Sequence, residues 1–295
     1  MEILPQLILN SIIAGAIYSL IALGFNLIYG ATKFFNLAHG VLAAVGGYAV
    51  FYFSKTLGLD IYLSVIIGVI LAGLIGYGLD KLIYLPLRRK KASGLILLVA
   101  SLGAFTAIQA IIAILFTSQF QTLSQGVGAQ KIYEIGGPST LFGAGVITQT
   151  QLIILFSGLA IMAGLVLLLK FTMFGKAVKA ISDDEEAAKI VGINTNKIIS
   201  KIFFIGSAIA GFAGILVGFD TGIEPTMGMG LLLKGVIASI IGGVGNIYGG
   251  VLGAFLLGFV ENFGIWKISG EWKDAIAFGV LILFLLFRPH GIFKK

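Results

Sequence analysis

The sequence predicts an all-α polytopic membrane protein of about nine transmembrane helices (eight to ten, some short or broken), with a short capped helix outside the membrane. Three observations predict it. Of the 295 residues, 58% are hydrophobic and 11% charged, and the mean hydropathy is +1.05. Soluble domains carry about 25% charged residues, so a chain with this little charge must have lipid as its solvent. The apolar residues also fall into runs near the ~20 residues that cross about 30 Å of hydrocarbon. Finally, the charges gather between the runs, with one long charged stretch at 171–201.

The apolar runs lie near 7–29, 37–53, 61–84, 94–116, 151–170, 202–219, 231–245, 249–265 and 275–288. The second, seventh and ninth are short, and such spans can be re-entrant or broken, which leaves the count open. The start, MEILPQLILN, lacks the positive n-region and small-residue cleavage site of a signal peptide, so the first run is expected to remain as a span. Placing Arg88, Arg89, Lys90 and Lys91 in the cytoplasm puts 15 of the 20 Lys and Arg residues on that side. By the positive-inside rule the N-terminus is then outside and the C-terminus inside. The long, polar, nearly uncharged 117–149 segment is expected outside, as a cap on the helix ends or a receiver for a partner. The net charge of +7 reads as topology, since no basic patch is interleaved with stacking aromatics; no nucleic-acid partner is expected.

Several chemistries are excluded. The chain has no cysteine, which removes disulfides, thiolate metal sites and cysteine nucleophiles. The run GGVGNIYGG (242–250) is followed by no Gly-Lys-Ser/Thr, so it is no phosphate loop. No His/Asp/Glu group has metal-ligand spacing and no nucleophile–base pair is recognisable. The chain is expected to be no enzyme and to hold no cofactor. Glycine, at 42 residues, is about twice its usual share. Gly206, Ala210, Gly214 and Gly218 form one small-residue ridge; Gly242, Asn246, Gly250, Ala254 and Gly258 form another if that backbone stays helical. Such ridges let helix backbones approach closely in lipid. The segments NLAHGVLAA (36–44) and NIYGGVLGA (246–254) agree at five of nine positions, which reads either as chance in a chain so rich in Gly, Ala, Val and Leu or as the structural repeat that flanks the substrate in many transporters.

The charged stretch is readable in detail. Ser182-Asp183-Asp184-Glu185 fits a capping box, with the acids where a helix dipole favours them. Glu185 and Lys189 form an i,i+4 pair, and Gly192 is placed to end the helix in the left-handed conformation. A helix over 183–191 follows. Gly175, Ala177 and Ala180, then Glu186, Ala187, Ala188 and Gly192, resemble the EAA loop of ABC-importer permeases. The general pattern continues with Ile-x-Leu-Pro; here Ile202 is present but Phe204 and Ile205 replace Leu-Pro, which narrows the match to a subfamily. GFNLIYG (24–30), FNLAHG (35–40), GGVGNIYGGVLGA (242–254) and LFRPHGIF (286–293) resemble branched-chain amino-acid permeases of the LivH/LivM type, in order and over about 7–293.

The resemblance implies a single transmembrane permease domain over 1–295, with 171–201 as a cytoplasmic coupling loop. It also implies a second, LivM-like permease subunit, two cytoplasmic ATP-binding subunits, an extracytoplasmic solute-binding protein and a prokaryotic inner membrane. Gly175, Ala180, Asp184, Glu186, Ala187, Ala188 and Gly192 are the candidate ATPase-coupling residues. Polar residues at membrane depth tend to face a cavity or a partner; Asn26, Asn36, His39, Asn246 and Glu261 are the substrate-path candidates, with Gln109 beside them. For His39 the competing expectation is a hydrogen bond to a backbone carbonyl; for Glu261 it is a solvated helix end. Asp80 and Lys81 read as interface anchors. The alternative function is an ATPase-independent secondary transporter or channel. Such a protein would show ionisable residues in mid-span, and almost none are read here; an intramembrane enzyme would need a catalytic pair, and none is read.

Overall fold

The computed structural model describes residues 3–124, 131–135 and 145–293, and helix dominates it. In chain order the helices are α1 (Leu4–Thr32), α2 (Ala38–Phe51), α3 (Ile61–Leu79), α4 (Leu85–Arg89), α5 (Gly94–Phe116), α6 (Gln149–Phe171), α7 (Met173–Asp183), α8 (Glu185–Ile190), α9 (Thr195–Asp220), α10 (Met227–Gly242), α11 (Ile247–Gly264) and α12 (Lys273–Phe287). Among the described residues six helical runs are long and apolar enough to cross a membrane: α1, Ile61–Arg89, α5, α6, α9 and α11. Every apolar run picked out in the sequence falls on a helix. The three short ones are α2, α10 and α12, of 14, 16 and 15 residues, below the length of a full straight crossing.

Two of the departures from simple α-helix set contacts between distant parts of the chain. A π-helical turn at Asp80–Tyr84 joins α3 to α4, just before Pro86. Proline has no N–H and its ring crowds the preceding turn, and a widened turn absorbs that mismatch. The second departure is a two-stranded antiparallel hairpin, β1 (Ile132–Ile135) and β2 (Gly145–Thr148), which qualifies the all-α expectation. It lies in the 117–149 segment and is tied to α1 by the Val146 N–H donating to Gln6 at 2.8 Å. Nearby, Gln121 and Ile223 exchange backbone bonds of 2.9 and 2.7 Å, and Leu123 and Ile147 are buried. The described parts of this segment therefore cap the helix ends; residues 125–130 and 136–144 lie outside the described residues.

Burial sorts the helices into two groups. α1, α2, α9, α10 and α11 form the centre, while α3, α5, α6 and α12 present large apolar side chains outward, such as Ile66, Ile114, Phe156 and Leu286. In lipid such exposure costs nothing, and the centre must instead be held by close backbone packing. At the α1/α9 crossing a Cβ on Gly24 would lie 2.7 Å from the Gly206 carbonyl oxygen. At the α2/α9 crossing a Cβ on Gly46 would lie 2.7 Å from Gly211 Cα. On the 206–218 ridge Gly206 meets α1 and Gly214 meets α2, while Gly218 lies against Leu123 and Ile223. The second ridge is corrected: the helix stops at Gly242 and restarts at Ile247, with Gly243 and Gly245 at φ 109° and 82°. Asn246 caps α11 rather than sitting on a continuous helical face.

Gly46→Leu should force α2 and α9 apart. Its thermal midpoint in detergent should fall by the equivalent of about 2 kcal/mol or more. Gly103, on the outward face of α5 with nothing within 4 Å, should accept alanine with no loss.

Candidate functional site

At one end of the helix centre the charged loop folds into two short helices. Thr172 starts α7 by accepting from the Gly175 N–H at 3.1 Å, and Gly175 lies directly on the Leu169 backbone, where no side chain fits. α7 runs through Ser182 to Asp183, so the expected helix over 183–191 is corrected to Glu185–Ile190. The cap is Asp184, not Ser182. Its carboxylate accepts from the N–H groups of Glu186 and Ala187 at 2.8 and 3.0 Å, and its own N–H donates to Ala180 at 3.0 Å. A carboxylate is the stronger acceptor at a helix start, and Ser182 continues α7 instead. The Glu185–Lys189 pair forms at 2.8 Å.

Gly192 has φ 87°, and its N–H donates to Lys189 while that of Ile193 donates to Ala188, both at 3.0 Å. These are the two bonds of a Schellman motif. Ala188 is buried, whereas Glu186 and Ala187 are exposed. Beside them Ile190 and Val191 are 87% and 75% exposed, an apolar tip that the sequence reading did not single out. The loop is anchored to its own chain: Lys33 Nζ donates to the Ser182 carbonyl at 2.8 Å and Thr195 to Glu185 at 3.3 Å.

Behind this loop lies a buried polar lattice. Asp80 is fully buried and meets Arg88 at 2.5 Å and Ser200 at 2.6 Å. One turn on, Tyr84 donates to Asn36 at 2.9 Å, and Ser101 accepts from the Leu37 N–H at 3.0 Å. The π-turn sets Asp80 and Tyr84 into this lattice, so Asp80 is a buried tie between α3 and α9 rather than an interface anchor.

Deeper in, Asn26 accepts from the Gly245 N–H at 2.9 Å and donates to the Asn246 carbonyl at 3.3 Å, clamping the α10–α11 link to α1. His39 is fully buried, with Nε2 3.3 Å from the Ile21 carbonyl, as the backbone-bonded expectation had it.

The opposite end holds a second charge cluster. Glu261 is fully buried, not a solvated helix end; it pairs with Lys234 and accepts from the Tyr18 hydroxyl at 2.7 Å. Lys234 also meets Asp274 at 2.8 Å, and Lys273 reaches Glu261 at 3.8 Å. Beside the cluster is a cavity of about 360 Å³ lined by Asn10, Ile13, Ala14, Ile17, Tyr18, Gln151, Val217, Asp220, Thr221, Leu231, Asn262 and Lys273.

Comparison with known proteins places this arrangement. The family described as branched-chain amino acid transport system / permease component matches residues 7–285. The chain belongs to that family. It is 33% identical to the high-affinity branched-chain amino acid transport system permease protein BraD of Pseudomonas aeruginosa, over 98% of this chain and 95% of that protein. Identity to the corresponding LivH of Escherichia coli K12 is 32% with the same coverage, and to a probable LivH of Methanocaldococcus jannaschii 29% over 96% and 90%. Among solved structures, PsaBC from Streptococcus pneumoniae in complex with Fab shares the fold at TM-score 0.50 and 15% identity, covering 98% and 93% of the two chains.

In this permease the sequence candidates separate into two ends and a middle. Gly175, Ala180, Asp184, Glu186, Ala187, Ala188 and Gly192 come together on α7, α8 and the turns on either side of α8. Asn26 and Asn246 meet at the α10–α11 link, Asn36 joins the lattice behind the loop, His39 packs against α1, and Glu261 lies at the far end. Gln109 is half-buried on α5. Lys234 was missed, although a lysine at the eighth position of a 16-residue apolar helix is itself the signal. Its pairing corrects the reading that mid-span ionisable groups are almost absent.

Lys234→Met should leave buried Glu261 with only the long contact to Lys273 for a cation, lowering stability by about 3 kcal/mol, whereas Lys234→Met with Glu261→Gln should regain most of the loss. Thermal unfolding of the permease in detergent reads both.

Proposed function

We propose that this permease is the membrane subunit of an ABC importer that moves branched-chain or related amino acids into a prokaryotic cell by alternating access. It works as one transmembrane domain across 1–295, with the N-terminus outside and the C-terminus and 171–201 loop in the cytoplasm. The 117–149 segment is extracytoplasmic, and α2, α10 and α12 complete nine crossings with their flanking turns. Its partners are a second, LivM-like permease subunit, two cytoplasmic ATP-binding subunits and an extracytoplasmic solute-binding protein.

The observation that carries this reading is α8: a rigid, capped helix that exposes Glu186, Ala187, Ile190 and Val191 while its other face is tied to α7 and α9. An apolar tip in an otherwise charged, aqueous loop fits a groove on a partner. ATP-driven closure of the ATPases then moves the loop, and the loop moves α9. The buried Lys234–Glu261 pair is the observation that favours the alternative, an ATPase-independent secondary transporter or channel, and the coupling test separates the two.

Ile190→Asp or Val191→Asp, and likewise Glu186→Lys or Gly192→Val, should weaken ATPase association about tenfold or more. That is the ~1.4 kcal/mol or more expected of a central interface residue. Uptake should fall with it while the permease stays folded in the membrane. Wild-type uptake in all four variants would remove the coupling role.

A further inference from the structure

The cavity at the end opposite α8 has a chemical character that the coupling account does not use. Its lining combines aliphatic side chains, Ile13, Ile17, Val217 and Leu231, with polar ones that carry one charge of each sign, Asp220 and Lys273. Its volume, about 360 Å³, lies within the ~300–1,000 Å³ of small-molecule pockets, which are mostly apolar with a few placed polar groups.

The two charges keep capacity to spare. Asp220 is hydrogen-bonded to Gln151 and feels Lys273 electrostatically, yet no ion pair among the described residues joins them. Lys273 reaches instead toward Glu261 at 3.8 Å. A carboxylate has about four acceptor sites and an ammonium three donors, so each can take a further partner. The local charges are Lys234 and Lys273 against Glu261, Asp274 and Asp220, one negative charge in excess. Lys234 is held by Glu261 and Asp274. The excess therefore falls on the cavity side, at Asp220.

We propose that this cavity binds an aliphatic amino acid as its zwitterion: Asp220 takes the ammonium, Lys273 the carboxylate, and Ile13, Ile17, Val217 and Leu231 the side chain. The inference rests on the importer reading for its choice of solute and adds the site. An uncharged solute or a carboxylic acid would leave the excess charge of Asp220 unmet, and an amine would leave Lys273 with only its long contact to Glu261, which is how a polar site rejects an analogue lacking its partner group. The site lies within one subunit and at the end of α9, so occupancy and the position of α9 are linked.

The absence of native cysteine makes the test direct. Thr221→Cys puts a single thiol on the cavity wall, and its rate of reaction with a membrane-impermeant maleimide is followed in the assembled transporter. Leucine at ten times its dissociation constant should slow labelling about tenfold. 4-Methylpentanoate, which lacks the ammonium, and isoamylamine, which lacks the carboxylate, should leave it unchanged at the same concentration. Adding Asp220→Asn, or separately Leu231→Trp to fill the cavity, should abolish leucine protection.

No protection by leucine, or equal protection by the two analogues, overturns the site. Leucine uptake by the same transporter in proteoliposomes is scored separately. Uptake without protection discards the site and keeps the importer; protection without uptake keeps the site and discards the leucine-import reading. Neither uptake nor protection discards both.

Discussion

Hydrocarbon offers no hydrogen-bond partner, so the polar groups this chain carries into the membrane are met chiefly from within, with a few buried atoms among the described residues, such as Asn36 Nδ2 and Ser207 Oγ, left over. That constraint organises the molecule. It places Asn26 where the broken α10–α11 backbone needs a donor and an acceptor, and seals Asp80 with Arg88 and Ser200. It also buries Glu261 only in the company of Lys234 and Tyr18. These ties require helices that approach closely, and Gly24, Gly46, Gly206 and Gly211 allow the approach. Since lipid gives apolar side chains no reason to prefer the interior, the polar ties and the glycine crossings together fix which helices form the centre.

The same ties suggest how force travels on the proposed reading. α9 has 26 residues, about 39 Å at 1.5 Å per residue. At one end Thr195 is bonded to Glu185 of α8; at the other, Asp220 lines the cavity. Between them Ser200 is tied through Asp80 to the α3–α4 run, and Gly206 and Gly211 lie against α1 and α2. A displacement of α8 therefore reaches the far cavity through one helix whose neighbours contact it backbone to backbone. Packed interfaces of this kind shift as rigid bodies between discrete arrangements rather than deforming continuously.

What was legible in the sequence was local or periodic. Apolar runs located the helices because length and hydropathy act residue by residue. The helix α8 was legible because Gly192 and the Glu185–Lys189 pair are short-range chemistry. Its start was misread because Ser182 and Asp184 are both competent caps, and only the packing of Val178 and Ile181, which carries α7 onward, decides between them. Lys234 was hidden by its apolar surroundings, and its partner Glu261 stands 27 residues away on another helix. The inward turn of Asp80, the clamp of Asn26 on residues 245 and 246, and the hairpin register are all products of tertiary contact. The cavity joins six helices and has no trace in any single segment.

The central claim is that this permease works as one part of an ATP-driven assembly, with α8 as the contact. The most direct measurement is mass spectrometry of what copurifies with the tagged chain from its native membranes in mild detergent, with crosslinking through Val191→Cys, a site-specific handle in a chain without other cysteines. The account predicts a second permease chain and ATP-binding subunits, with the crosslink on an ATP-binding subunit. Recovery of the chain alone, with no crosslinked ATPase, would contradict it.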